Sequence, residues 1–298
     1  MAKFSEYIDD NRYDEYINYQ KLVPFLKNIF KLQQELVSTP PPQIEAVAFP
    51  DHEDILRGFR EGQPVFSHLT LENENIQLVT EKVVNRLIQD YSQSENLEKA
   101  LSSWKLDFEQ QLSEYDRQIS TQELTGFIQN LAETGPLPPG ISTLICTFSL
   151  NSLGKLIFKA KPADLNTSLW KGGNCPSCGL SPHYGFLRES DHKRIMECWF
   201  CNTRWEFPRL KCAYCTNEDQ YQLGFFIIQA DNQTGGFRDH HSCRVNFCDV
   251  CKTYNKIFFV GEEKESLTLL YQNYITIFHD LAAVKEGYMP GSGLYWDE

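Results

Sequence analysis

The chain has 298 residues, 41% of them hydrophobic, and a formal net charge of −12; it can bury a sizeable core, and its length suggests two domains. No run approaches the 18 or more apolar residues of a membrane span, and the opening MAKFSEYIDDNRYDEY carries acids where a signal peptide needs a basic and then an apolar stretch, so the expectation is a soluble cytoplasmic protein without membrane insertion. In that reducing compartment ten cysteines, eight of them in Cys-x-x-Cys pairs, point to metal or redox chemistry rather than disulfides.

Up to about residue 170 the pattern is helical and punctuated by proline. Leu22, Phe25, Leu26, Ile29, Gln33 and Leu36 follow helical spacing with one polar exception, and STPPPQ (38–43) stops that helix, because proline cannot continue it. Ile76, Val79, Val83 and Leu87 form a second stripe, and Leu97, Leu101, Trp104, Phe108 and Leu112 a third. Ser120 to Glu123 reads as a capping box opening a helix that carries Leu124, Phe127, Ile128 and Leu131. After the break at ETGPLPPG, a further apolar stretch (Ile141, Leu144, Ile145, Phe148) runs toward Leu156. These stripes describe the core of a helical bundle.

KGGN (171–174) marks a boundary, after which the periodicity changes. HYGFL (183–187), TRWEF (203–207), YQLGFFII (221–228) and YNKIFFV (254–260) each follow one Cys-x-x-Cys pair and predict short strands. Leu267, Leu270, Tyr274, Phe278 and Leu281 return to helical spacing and predict one closing helix. The expected fold class is α+β: a helical domain (1–172), two metal modules (173–210 and 211–263), and a C-terminal helix and tail (264–298).

The pairs are Cys175/Cys178, Cys198/Cys201, Cys212/Cys215 and Cys248/Cys251. A two-residue spacer lets both sulfurs and nearby amides curl around one face of an ion, and two pairs complete a tetrahedral S₄ site suited to zinc or to a single iron. Pairing in sequence order gives one site enclosing 19 residues and a second enclosing 32, with only 10 between them. Each loop has room for a hairpin, which favours tandem ribbons over a cross-brace. Gly179 and Asn202, straight after their pairs, tolerate the left-handed backbone that a tight knuckle needs; Thr216 and Lys252 suit it less, so the third and fourth knuckles are expected to be looser. Each site is expected to fold its own module, leaving the helices independent of it.

Smaller signals read as structural. Cys243 and Cys146 look like apolar fillers, and His183, His240 and His241 like ordinary side chains near the knuckles. Trp199, Phe200 and Tyr214 sit inside the Cys-x-x-Cys spacers, as covers for the metal or anchors for a partner, and the junction Trp170 to Gly173 offers a groove. No G-x-S-x-G, Walker loop or H-E-x-x-H occurs, and a conventional enzyme is not expected. Residues 171–260 carry 11 basic and 9 acidic side chains, a balance that turns negative once thiolates and metals are counted and that disfavours phosphate binding.

CPSCG, ECWFCNTRWEFPRLKCAYC, RVNFCDVCKTYNK and a closing EGY, spanning 175–289, resemble the C-terminal half of the bacterial formate dehydrogenase accessory proteins, the FdhE family. The order of the pairs agrees, as do Trp205, Arg209 and Tyr254; Lys252 departs from the small residue expected after the last pair. The resemblance implies two rubredoxin-like modules behind a helical domain. The eight paired cysteines would be ligands of two iron or zinc ions. It also implies a maturation factor that binds the formate dehydrogenase catalytic subunit in the cytoplasm before export. Two other readings of the residues stay open: a tandem zinc-ribbon nucleic-acid binder, and a thiol–disulfide or metal-transfer protein in which one pair is a free dithiol.

Overall fold

The computed structural model describes residues 19–90, 94–162, 165–227, 243–260 and 269–294. Its first half comprises α1 (Tyr19–Ser38), α2 (His52–Arg60), β1 (Thr70–Glu72), α3 (Asn73–Asp90), α4 (Glu95–Ser113), β2 (Gln118–Ser120), α5 (Leu124–Thr134) and α6 (Pro139–Ile157). Helix α1 stops at Ser38, ahead of the proline run. Its polar exception, Gln33, is buried for a reason: its amide donates to Asn151 Oδ1 on α6 at 2.7 Å. Helix α2, which the hydrophobic pattern leaves unmarked, starts where the Asp51 carboxylate accepts from the amide of Asp54 at 2.9 Å. The expected capping box forms only in half. The Glu123 carboxylate accepts from the Ser120 amide at 2.9 Å, but Ser120 belongs to β2 and α5 begins at Leu124.

Helix α6 is the axis of this half, with α1, α3 and α5 packed around it. The segment Pro139–Ala160 is long and apolar enough to cross a membrane by length and composition, yet 89% of its most apolar window is buried inside the protein. Ser142 and Thr147 find partners there: Trp104 Nε1 donates to Ser142 Oγ at 2.6 Å, and Thr147 Oγ1 reaches the Thr143 carbonyl at 2.8 Å. A helix buried on every side carries no polar stripe, which is why periodicity marked only part of it.

The second half contains β3 (Tyr184–Arg188), β4 (Arg194–Glu197), β5 (Arg204–Glu206), β6 (Leu223–Phe226), β7 (Cys243–Cys248), β8 (Thr253–Val260), α7 (Leu269–Ile275), α8 (Ile277–Lys285) and β9 (Met289–Pro290). Strands β5, β4 and β3 form one antiparallel ribbon and β8, β7 and β6 another; β3 pairs in parallel with β8, from Tyr184↔Lys256 to Arg188↔Val260, so both ribbons share one sheet. The halves of this sheet repeat the same order: knuckle, hairpin, knuckle, strand. The result is the helical body followed by two rubredoxin-like or zinc-ribbon-like units that the sequence predicts.

Two features differ from the expected pattern. The closing segment is two helices, broken at Thr276 (φ −109°, ψ 28°), whose hydroxyl turns back to the Gln272 carbonyl at 2.8 Å. The expected stripe position Leu267 lies outside the described residues. Second, one hydrophobic cluster runs from Leu26 and Trp104 through Phe158 and Trp199 to Phe258 and Leu270, so helices, first ribbon and closing helix share a core. Backbone bonds cross the same seam: the amides of Val65 and Phe66 donate to the carbonyls of Pro176 and Ser177, both at 2.8 Å. The boundaries at 172/173 and 210/211 therefore fall between elements joined by core and sheet.

Candidate metal centres

The eight paired cysteines gather into two clusters, Cys175/Cys178/Cys198/Cys201 and Cys212/Cys215/Cys248/Cys251, with the four sulfurs of each within 4.8 Å of one another. Measured separations are 3.6 Å for Cys175–Cys201, 3.5 Å for Cys178–Cys198, 3.7 Å for Cys212–Cys251 and 3.6 Å for Cys215–Cys248. Four sulfurs at the ~2.3 Å metal–sulfur distance of a tetrahedral site lie ~3.8 Å apart, whereas a disulfide needs ~2.0 Å, so both clusters have the donor set and spacing to hold zinc or iron. Crowding has a second consequence. Burial, then the neighbouring sulfurs, pushes the thiols of Cys178 and Cys198 well up, and burial carries Cys212 up to about 12. A cation is what offsets four adjacent thiolates.

Each knuckle is made by the backbone. The amides of Gly179, Asn202 and Thr216 donate to the carbonyls of Cys175, Cys198 and Cys212 at 2.9, 3.0 and 3.1 Å. All four residues that follow a pair have positive φ: Gly179 77°, Asn202 54°, Thr216 61° and Lys252 53°. Thr216 and Lys252 thus adopt the same left-handed turn as Gly179 and Asn202, although their side chains disfavour it. The repeat extends to the sulfurs' partners. Thr203 Oγ1 lies 3.2 Å from Cys201 Sγ, and Thr253 Oγ1 lies 2.9 Å from Cys251 Sγ, each two residues after the last cysteine of its site.

The clusters differ in exposure. All four sulfur-bearing residues of the first are buried, while Cys215 and Cys251 of the second are half-buried. The first is also tied to the helices. Asn151 Nδ2 on α6 donates to the carbonyls of Trp199 and Phe200 at 2.6 and 3.1 Å and to Asn202 Oδ1 at 2.9 Å. Gly154 lies so close that a Cβ there would overlap the Phe200 carbonyl oxygen. Beside it Glu197, fully buried, pairs with Arg204 Nε at 2.6 Å and accepts from the Leu269 amide at 3.3 Å. The second cluster is braced from behind: Lys256 and Asp280, both fully buried, form an ion pair, and Tyr254 Oη donates to Asp280 Oδ1 at 2.8 Å. The hydrophobic pattern marks Gln33 only as a polar exception and leaves Asn151, Glu197, Lys256 and Asp280 unmarked, because these buried polar residues have partners distant in the chain.

The remaining candidates are structural. Cys146 and Cys243 are buried, and burial raises both thiols, Cys243 to about 12. His183 is buried against Ser292, with burial holding its imidazole down to about 3, and His240 and His241 lie outside the described residues. Trp199, Phe200 and Trp205 are buried, and Tyr214 donates to the Pro182 carbonyl at 2.9 Å, so these aromatics pack the knuckles. The junction expected to form a groove is filled: Trp170 packs against Phe59 with the rings tilted at 59°, its Nε1 donates to the Asn174 carbonyl at 2.9 Å, and Gly173 abuts Ala213.

No family model matches the chain. Among curated proteins it is similar to the FdhE homolog of Aquifex aeolicus, 23% identical over 181 residues (59% of this chain and 59% of that one), and to the FdhE homolog of Pectobacterium atrosepticum, 24% identical over 200 residues (66% and 56%). Escherichia coli K12 FdhE is 26% identical over 120 residues, 40% of this chain and 35% of that protein. The matches thus span less than two thirds of each relative. In fold the chain is similar to the crystal structure of the FdhE protein from Pseudomonas aeruginosa, with a TM-score of 0.59 at 19% identity over 95% of this chain and 92% of that one. In sequence the chain resembles these FdhE proteins, and in fold it resembles the Pseudomonas aeruginosa FdhE structure.

Proposed function

We propose that this chain, FdhE-like in sequence and fold, is a formate dehydrogenase accessory protein and not itself an enzyme. In this reading it binds the catalytic subunit of the dehydrogenase in the cytoplasm during assembly and before export, and Cys175, Cys178, Cys198, Cys201, Cys212, Cys215, Cys248 and Cys251 hold two iron or zinc ions. The observation that carries it is the pair of S₄ clusters built as repeats on one sheet, in a chain whose likeness to FdhE extends over both halves. The first centre, buried and bonded to α6, is structural. The second is the one a partner reaches: Cys215 and Cys251 are half-buried, and exposed Val250, inside the Cys248–Cys251 spacer, and Tyr221 flank it. Exposed apolar side chains beside a rigid knuckle are suited to a protein interface.

The test is a pull-down of the tagged chain from a host expressing formate dehydrogenase, with Cys212→Ser/Cys215→Ser and Val250→Asp alongside. The catalytic subunit is expected with the parent and to be lost or strongly reduced with both variants, while the helical circular-dichroism signal of Val250→Asp stays at the parent level. No dehydrogenase with any of the three would end this reading and leave the metal centres standing.

A further inference from the structure

A cleft of about 130 Å³ lies where the linker between the ribbons meets strands β6 and β7 of the second. Its walls bring together Arg194 from β4, Arg209 and Lys211 from the linker, and Arg244 and Asn246 from β7, and among the described residues no carboxylate lines it. Lys211 is already paired, with Glu218 at 2.9 Å. Among the described residues, Arg194, Arg209 and Arg244 have no acidic partner.

Two of these guanidinium groups are buried, which is what makes the cleft unusual. Arg194 is 3% exposed; its Nη2 donates to the carbonyls of Pro208 and Lys211, its plane lies 4.9 Å from the Phe207 ring centroid, and its Nε has no partner. Arg244 is 9% exposed, stacked at 4.6 Å over Phe225 and 5.9 Å from Phe259, and its Nε is likewise unpartnered. The buried Oδ1 of Asn246, on the same wall, also lacks a partner; a half-turn of the amide would present a donor there instead. Burial, with Arg244 and Arg209 nearby, holds the Arg194 guanidinium down to about 10, so it stays charged at neutral pH. A buried cation is costly unless it is offset; Cys212 offsets Arg194 in part, but neither buried guanidinium meets a carboxylate among the described residues.

The second cysteine cluster, which contributes Cys212 and Cys248 to the same wall, does not use these donors. Its sulfurs are reached by the Tyr214 amide at 3.4 Å, Asn217 Nδ2 at 3.9 Å and Thr253 Oγ1 at 2.9 Å, and Arg194 Nη2 donates to carbonyls instead. The rim is apolar and exposed, formed by Leu210 and Phe225. Guanidinium planes held rigid by aromatic rings match the flat, two-oxygen face of a carboxylate.

We propose that this cleft binds a carboxylate, gripped by Arg244 and Arg209, with Arg194 fixed behind them and Leu210 and Phe225 receiving its apolar attachment. The same chemistry fits a free small acid and an aspartate or glutamate side chain presented by a protein. The proposal stands whether or not the chain serves formate dehydrogenase.

Acetate is titrated into the metal-loaded full chain and followed by ¹³C NMR, alongside a blocked Phe-Asp-Leu peptide and its Phe-Asn-Leu analogue. Saturable acetate binding is expected, weakened by about tenfold or more in Arg244→Gln and in Arg209→Gln. Metal content serves as the folding check, and Arg209, which is exposed, keeps the test valid if Arg244→Gln loses metal. Aspartyl peptide binding about tenfold tighter than acetate, with the asparaginyl peptide inert, assigns the site to a protein side chain; equal binding of peptide and acetate assigns it to a free acid. The proposal is overturned if neither probe saturates up to about 100 mM, if the arginine variants bind as the parent does, or if phosphate displaces acetate at lower concentration than acetate binds.

Discussion

Replacing Lys256 with methionine keeps most of the volume of the side chain and removes one buried charge. Lys256 is wholly inaccessible, and its ammonium donates to the Asn273 carbonyl at 2.6 Å, to Thr276 Oγ1 at 3.2 Å and to the Asp280 carboxylate. These bonds pin the last strand of the second ribbon to the break between α7 and α8. Removing one partner of a buried pair leaves the other uncompensated, at a cost of about 3–5 kcal/mol. Asp280 limits that loss by taking up a proton: burial already raises its carboxyl despite Lys256, and without the ammonium it rises further. A carboxyl raised in the folded state binds a proton that the unfolded state has released, so stability falls as pH rises from the unfolded value toward the folded one, by up to ~1.4 kcal/mol per pH unit. Urea unfolding of the metal-loaded proteins, followed by tryptophan fluorescence, measures the difference from the parent. It should be smaller at about pH 5 than at about pH 8, and the double variant Lys256→Met/Asp280→Leu should regain most of it. A single variant within about 1 kcal/mol of the parent at both pH values would show that the pair does not pin the strand to the helices.

Three further outcomes follow from the two centres. Replacing Cys175 and Cys178 with serine should remove one ion per chain and lower helical ellipticity, because Cys175, Cys178 and Trp199 share a core with α3, α4 and α6; metal analysis with far-ultraviolet circular dichroism checks it, and unchanged ellipticity would show the helices to be independent. Thr216→Gly and Lys252→Gly should each stabilise the second ribbon by about 1 kcal/mol, since each relieves a left-handed turn on a side chain that disfavours it; a lower melting temperature in either would refute that account. A chromogenic chelator should strip metal in two phases, the faster belonging to Cys212/Cys215/Cys248/Cys251 because only that site has half-buried ligands, and Thr253→Val should accelerate the fast phase alone by removing the hydroxyl 2.9 Å from Cys251 Sγ. A single phase insensitive to Thr253 would contradict the assigned asymmetry.

Elements bounded by strong local signals were legible in advance. Proline at 40–42 ends α1, and the stripes through Ile76 and Leu101 become α3 and α4, because helical spacing of apolar residues reports one buried face directly. Strands β4 and β7 were not legible: they place Arg194, Glu197 and Arg244 inside the protein, and charged side chains in a short run read as loop until their partners are known. The break at Thr276 was hidden for a related reason, since its hydroxyl answers a lysine 20 residues earlier in the chain.

By itself the sequence determined the two S₄ clusters and their tandem order, because ligand chemistry is local: a Cys-x-x-Cys knuckle needs two sulfurs, a few amides and one left-handed residue, all within a handful of positions. Only the tertiary structure decided how these clusters sit in the protein. The parallel pairing of β3 with β8, the grip of Asn151 on the second knuckle, the Lys256–Asp280 pin and the three arginines around one cleft all join residues far apart in the chain. Such contacts form only after long loops close, and their energy comes from burial and paired charge, which no local pattern of residues records.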